Sequence, residues 1–230
     1  MPQRFAVYYA PAITDILWDR ASAWLGRDPA SGLLFEGAVA GMERKRLLDL
    51  TQSAARYGFH ATIKPPMALA PNCHLDQLKA AVSDLVASAA PVSLGRLRIA
   101  SLDGFLALVP AEDGNASLQD FAARVVEDLD PFRAPLSPRD QAARAARGLS
   151  PRQLELLGAY GYPYVFDQFR FHMTLTDRLA PEDFDEVLDA ARTWFGPVLD
   201  RDIVLDRLVL FHEPERGTLF RRLGDYELRA

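Results

Sequence analysis

Residues 5–10 are apolar throughout and read as a strand ending at Pro11. Thr14 predicts the N-cap of a helix through about residue 25, with Leu17, Ala21, Trp24 and Leu25 on one side. Residues 26–41 read as loop, rich in glycine and small residues. A helix over 42–56 would gather Leu47, Leu48 and Ala55 and lead into a strand at 59–63. That strand is expected to stop at Pro65-Pro66, where the backbone has no N–H to give a ladder. A helix over 75–89 carries Leu75, Leu78, Val82, Leu85, Val86 and Ala89 at core spacing. Strands at 92–100 and 105–109 form a hairpin turning near Leu102-Asp103-Gly104, and a helix over 117–129 follows.

The rhythm breaks between 131 and 163, where Pro131, Pro135, Pro138, Pro151 and Pro163 punctuate the chain. Ser137-Pro138 and Ser150-Pro151 read as N-caps followed by first-turn prolines. The helix between them carries Arg139, Arg144 and Arg147 and has almost no apolar face, which favours a solvated connector over a flap across a cleft. A second strand near 171–175, a helix over 181–195 and strands at 203–211 and 218–228 complete the chain. Strand, helix and strand pair thus occur in the same order in each half. That order predicts an α+β, bilobal, internally duplicated fold: two mostly antiparallel sheets flanked by helices, with a central cleft. We read residues 1–230 as a single domain of two pseudo-symmetric lobes.

The two corresponding strands share a grammar. Phe59-His60-Ala61-Thr62-Ile63 and Phe171-His172-Met173-Thr174-Leu175 each run aromatic, histidine, apolar, threonine, aliphatic, with the histidines 112 positions apart (172 − 60). Residues two apart on a strand share a face, so each strand would bury its aromatic and aliphatic side and show one imidazole and one hydroxyl opposite. Two histidines in different protonation states suit a reaction that needs a base and an acid on opposite sides of one centre, as phosphodiester cleavage does. Thr62 and Thr174 would donate to the non-bridging oxygens. By the same parity Lys64 and Arg170 fall on the motif face and are candidates to neutralise phosphate charge. Tyr8 is a candidate to stack on a base or ribose, with core packing the stronger expectation, and Tyr57 is assigned to the core.

Composition narrows the partners. A net charge of −5 argues against bulk attraction to long nucleic acid, and no apolar run is long enough to span a bilayer. Lysine is scarce, with only Lys45, Lys64 and Lys79, so arginine carries nearly all the positive charge. Cys73 is the sole cysteine, which rules out an intrachain disulfide or a cysteine-based metal cluster. The opening Met1-Pro2-Gln3-Arg4 lacks the features of a secretory signal, so a cytoplasmic protein is expected.

The paired strings His60-Ala61-Thr62-Ile63 and His172-Met173-Thr174-Leu175 resemble the His-x-Thr/Ser-x signatures of the 2H phosphoesterase superfamily. The longer strings Arg56-Tyr57-Gly58-Phe59-His60-Ala61-Thr62-Ile63-Lys64-Pro65-Pro66 and Arg170-Phe171-His172-Met173-Thr174-Leu175-Thr176 resemble a narrower bacterial branch often encoded beside phosphonate-utilisation genes. So does the opening Phe5-Ala6-Val7-Tyr8-Tyr9-Ala10-Pro11. The resemblance implies His60 and His172 as the catalytic pair and Thr62 and Thr174 as phosphate contacts. It also implies a small or cyclic phosphodiester of a nucleotide or ribose as substrate, and no metal or other cofactor. A metal hydrolase built on His60, His74, His172 and His212 is the rival enzyme, but no His-x-x-x-His or His-x-Asp spacing supports it. A non-catalytic binder of a nucleotide or cyclic phosphate, and an RNA-end cyclic phosphodiesterase or ligase, are the other readings.

Overall fold

The computed structural model describes residues 3–146 and 148–230; Met1, Pro2 and Arg147 lie outside the described residues. Chain order is β1 (Arg4–Tyr9), α1 (Ile16–Leu25), α2 (Arg44–Asp49), α3 (Gln52–Tyr57), β2 (Ala61–Met67), α4 (Leu75–Ala87) and β3 (Val92–Gly95). Then come β4 (Leu97–Leu102), β5 (Phe105–Pro110), α5 (Ala116–Leu129), α6 (Pro138–Ala145), α7 (Pro151–Tyr160) and β6 (Met173–Thr174). The chain closes with α8 (Pro181–Leu199), β7 (Ile203–Leu205), β8 (Arg207–Glu213) and β9 (Arg221–Glu227).

The architecture is α+β, with sheets of unequal size. Seven strands form one antiparallel sheet in the order β4-β5-β6-β2-β1-β8-β9, and β3 pairs with β7 in a two-stranded sheet. Segments β2–α4–β3–β4–β5 and β6–α8–β7–β8–β9 follow one order, and the sheet crosses them over. The motif strand β2 joins the side completed by hairpin β8–β9, while β6 joins hairpin β4–β5. Strands of both segments therefore run together, and β2 and β6 meet as neighbours in mid-sheet.

Local chemistry explains where elements depart from the periodicity. Asp15, one residue past the expected cap, begins α1 because its carboxylate accepts Leu17 N–H at 2.8 Å. The helix expected over 42–56 is two short ones. Thr51 Oγ1 donates back to Leu47 O at 2.8 Å, a contact that competes with the helical ladder at the break. Strand β2 runs on through Pro65-Pro66. Its ladder with β1 registers at Lys64 and Met67 and passes the prolines by, while β6 is too short to need N–H groups there.

Strand β1 lies between β2 and β8, and Phe5 through Tyr9 are all buried. It is the spine of a core that reaches from α1 to α8. Trp24 Nε1 donates to Leu175 O at 2.9 Å, tying α1 to the end of the second motif. Among the described residues no helix is long and apolar enough to cross a membrane.

Candidate active site

Ala61 on β2 stands directly opposite Met173 on β6, and both side chains are fully buried. Antiparallel pairing then sets Thr62 opposite His172 and His60 opposite Thr174, all on the other face of the sheet. Burial alternates accordingly: Phe59, Ala61 and Ile63 are buried, as are Phe171, Met173 and Leu175, while the two histidines and two threonines are half-exposed. Partners directly across such a ladder lie about 5 Å apart and diagonal ones roughly 7–8 Å, so the two histidines occupy the diagonal of a small square.

Each imidazole is held by the same local device. His60 Nδ1 lies 2.8 Å from Gly58 O, and His172 Nδ1 lies 2.9 Å from Arg170 O, in both cases two residues upstream. A carbonyl only accepts, so Nδ1 carries the proton and Nε2 is left for chemistry. Thr62 Oγ1 sits 3.2 Å from His60 Nε2 and donates to it. Burial pushes the His60 pKa down to about 4; the Gly58 carbonyl opposes that shift and His172 adds to it. His60 is therefore a free base at neutral pH. Tyr8 stacks on it, with ring centroids 3.7 Å apart, and His172 packs against Phe105 at 5.9 Å.

Gly58 makes the first of these devices possible. Its backbone sits at φ 81° and ψ 173°, a region essentially confined to glycine, and a Cβ there would lie 2.6 Å from Pro29 Cγ.

Two parity assignments fail. Between Tyr8↔Thr62 and Val7↔Lys64, β2 advances two residues while β1 advances one, so a bulge separates Thr62 from Lys64. Lys64 consequently shares Val7's face instead of Tyr8's. It is buried, and its Nζ donates to Val126 O and to Asp130, each at 2.8 Å. Arg170 precedes the two-residue β6, outside the ladder that fixes parity. Arg170 lines a separate cavity of about 790 Å³ with Arg98, Phe171 and Arg192, and its carbonyl accepts from His172 Nδ1. Tyr57, expected in the core, packs against it partly buried and stacks on Phe220, and it also lines the main cavity.

His60, Thr62 and Thr174 open into a cavity of about 740 Å³, within the range of small-molecule sites. Arg4, Arg56, Arg144, Arg178 and Arg216 also line it, and of these only Arg56, at the head of the first extended string, falls within a motif. Helix α6, the segment favoured as a connector, forms part of the wall through Asp140, Ala143 and Arg144. Arg216, in the β8–β9 turn, clasps Asp140 with two bonds of 3.0 and 2.7 Å, so α6 is pinned to the far end of the sheet. Helix α6 has no buried residue, and it brings Arg144 to the cavity wall. Among the described residues no three His, Cys, Asp or Glu side chains are grouped as metal ligands.

Comparison with known proteins adds two curated relatives, both called Ribose 1,5-bisphosphate phosphokinase PhnN. The Janthinobacterium sp. (strain Marseille) protein is 35% identical over 226 residues, covering 94% of this chain and 49% of the relative. The Laribacter hongkongensis (strain HLHK9) protein is 37% identical over 218 residues, covering 95% of this chain and 50% of the relative. The chain spans about half the length of these relatives. Among solved structures, E. coli LigT complexed with 3'-AMP aligns at 15% identity and TM-score 0.42, with 100% of both chains covered. A crystal structure of a phosphoesterase aligns at 13% identity and TM-score 0.42, again with 100% of both chains covered. A family model matches residues 62–221, most of the chain, and by that match the chain belongs to the family described as "Protein of unknown function (DUF1045)".

Proposed function

We propose that the chain is a metal-independent phosphodiesterase that opens a cyclic or small phosphodiester of a ribose or nucleotide. The observation that supports the reading is the Ala61–Met173 pair, which joins the two motif strands beside a cavity lined by His60, Thr62 and Thr174. In this mechanism His60 Nε2 takes a proton from a water as its oxygen attacks phosphorus. Charge building on the non-bridging oxygens is met by the Thr174 hydroxyl and by that of Thr62, which turns from His60 Nε2 to the phosphate when the water takes its place there. As the P–O bond breaks, His172 in its imidazolium form gives the Nε2 proton to the departing oxygen. The product is a phosphomonoester, and exchange with water returns both rings to their starting states.

Burial keeps His60 unprotonated at neutral pH, so its Nε2 is open to accept a proton. The curated relatives bear a name that concerns a bisphosphorylated ribose, which supports a ribose phosphate as the substrate class. The test is a screen of metal-free protein against 2′,3′-cyclic nucleotides and cyclic phosphates of ribose, with His60→Ala and His172→Ala as controls. Hydrolysis that vanishes in both variants is the expected result. A silent panel, or turnover that survives either substitution, overturns the proposal.

A further inference from the structure

The arginine end of the cavity is built for more anionic charge than the chain supplies. Arg4 and Arg56 both bind Glu213, the first at 2.5 Å, and that carboxylate is completely buried. Arg216 binds Asp140. Arg144 reaches the same place from α6 and donates to Gly161 O at 2.5 Å, a neutral acceptor. Four arginines thus gather round two carboxylates in a protein whose net charge is −5. Burial first and Arg4 next push the Arg144 pKa down, so this guanidinium is desolvated without full compensation.

Tyr8 supplies an independent sign. It is fully buried and lines the cavity, and its hydroxyl has no hydrogen-bond partner among the described residues. Burial raises its pKa, and Tyr57, Tyr162, Arg4 and Glu213 lie near enough to act on it. Its ring stacks on His60. A buried hydroxyl without a partner is costly, and a bound acceptor would remove the cost.

We infer that Arg144, Arg4 and the Tyr8 hydroxyl form a second anion subsite, which takes a phosphomonoester carried by the same substrate whose diester sits between His60 and His172. That a diester shares the substrate rests on the diesterase reading, and the two sites together narrow the substrate to a ribose bearing both groups. Arginine matches phosphate with a planar fork of donors, and α6 brings Arg144 in from a wall pinned at its far side by Arg216.

The probe is ribose 5-phosphate, a monoester with no diester, titrated calorimetrically against the full chain with ribose as reference. Binding at least tenfold tighter than ribose is expected. Arg144→Gln should weaken it about tenfold or more, as for a charge-assisted bond, Arg144→Lys by less, and Tyr8→Phe about threefold to tenfold. Arg152→Gln, which alters an exposed ion pair with Asp167, should leave it unchanged. Helix α6 has no buried residue, so Arg144 variants are expected to fold, and circular dichroism checks that. Equal affinity for the two sugars overturns the subsite. So does a loss in Arg152→Gln as large as in Arg144→Gln, which would mean general charge attraction. A second arm compares hydrolysis of a 2′,3′-cyclic nucleotide with and without a 5′-phosphate. If neither is cleaved while ribose 5-phosphate still binds, the diesterase reading fails and the subsite stands.

Discussion

Ala61 pairs with Met173, and this one contact between the motif strands decides where four polar side chains point. A strand pair has period two, so a slip of one residue would carry His172 and Thr174 to the buried face. Both contact residues are completely buried, and Thr62 and Thr174 are half-exposed on the other side, so burial itself pins the register.

Removal of either imidazole is expected to cost about 10²–10⁴ in turnover, the range for losing a positioned acid or base. Loss of the Thr174 hydroxyl is expected to cost about 10²–10³, as for one oxyanion donor. Steady-state rates of His60→Ala, His172→Ala and Thr174→Ala measure these, alongside urea midpoints. A rate loss that simply tracks a lower midpoint would mean unfolding instead of lost chemistry.

The pH–rate profile should be unusually flat on its acid side. Burial lowers the His60 pKa to about 4, so the free base persists as pH falls through 6 and 5. Protonation then removes it, and kcat/KM should drop tenfold per unit below about pH 4. The same shift acts on stability. The unfolded ring, with a pKa of about 6.5, binds a proton that the folded ring refuses, so stability present at neutral pH is lost as pH falls from about 6.5 toward 4. An acid limb centred near 6.5 would show that His60 is not the base.

Lys64 should matter to folding and not to binding. Its ammonium is buried between Val126 O and Asp130, and Asp130 also holds Arg133 through bonds of 2.8 and 3.0 Å. Asp130→Ala strands a buried ammonium and is expected to cost about 3–5 kcal/mol. Lys64→Met removes the charge, keeps the volume and leaves Asp130 paired with Arg133, so it should cost less. Denaturation midpoints test the order, and KM of Lys64→Met should match the parent once folded. A raised KM in that variant would return Lys64 to the phosphate site.

The sequence made the histidines and threonines legible because their signal is periodic and written twice. It hid Lys64's true place because a bulge leaves no mark in residue type: Val7 and Tyr8 look alike as strand residues, yet they face opposite sides of the sheet. Helix α6 was legible as an element, through Ser137 and Pro138, but not as a wall. Its role depends on Arg216 and Asp140, 76 residues apart, and contacts at such separation have no period to read. The neighbourhood of β2 and β6 was likewise beyond local pattern, since the strands of the two segments cross over.

Gly58→Ala should damage structure and chemistry together. The residue sits at φ 81° and ψ 173°, where a side chain costs on the order of 1–3 kcal/mol. The added methyl would also lie 2.6 Å from Cγ and 3.2 Å from Cβ of Pro29, in a loop tied to β9 through Arg222 N–H to Pro29 O at 2.9 Å. Relief requires the peptide to turn, and the carbonyl that turns with it is the one accepting from His60 Nδ1. Without that acceptor the ring loses its fixed tautomer, so kcat should fall by more than the fraction unfolded explains. Nitrogen-15 shifts of the His60 ring would register the change directly: a protonated Nδ1 in the parent, a mixture of tautomers in the variant. An unaltered ring signal beside a lowered midpoint would leave Gly58 a folding role alone and would remove the Gly58 carbonyl from the mechanism.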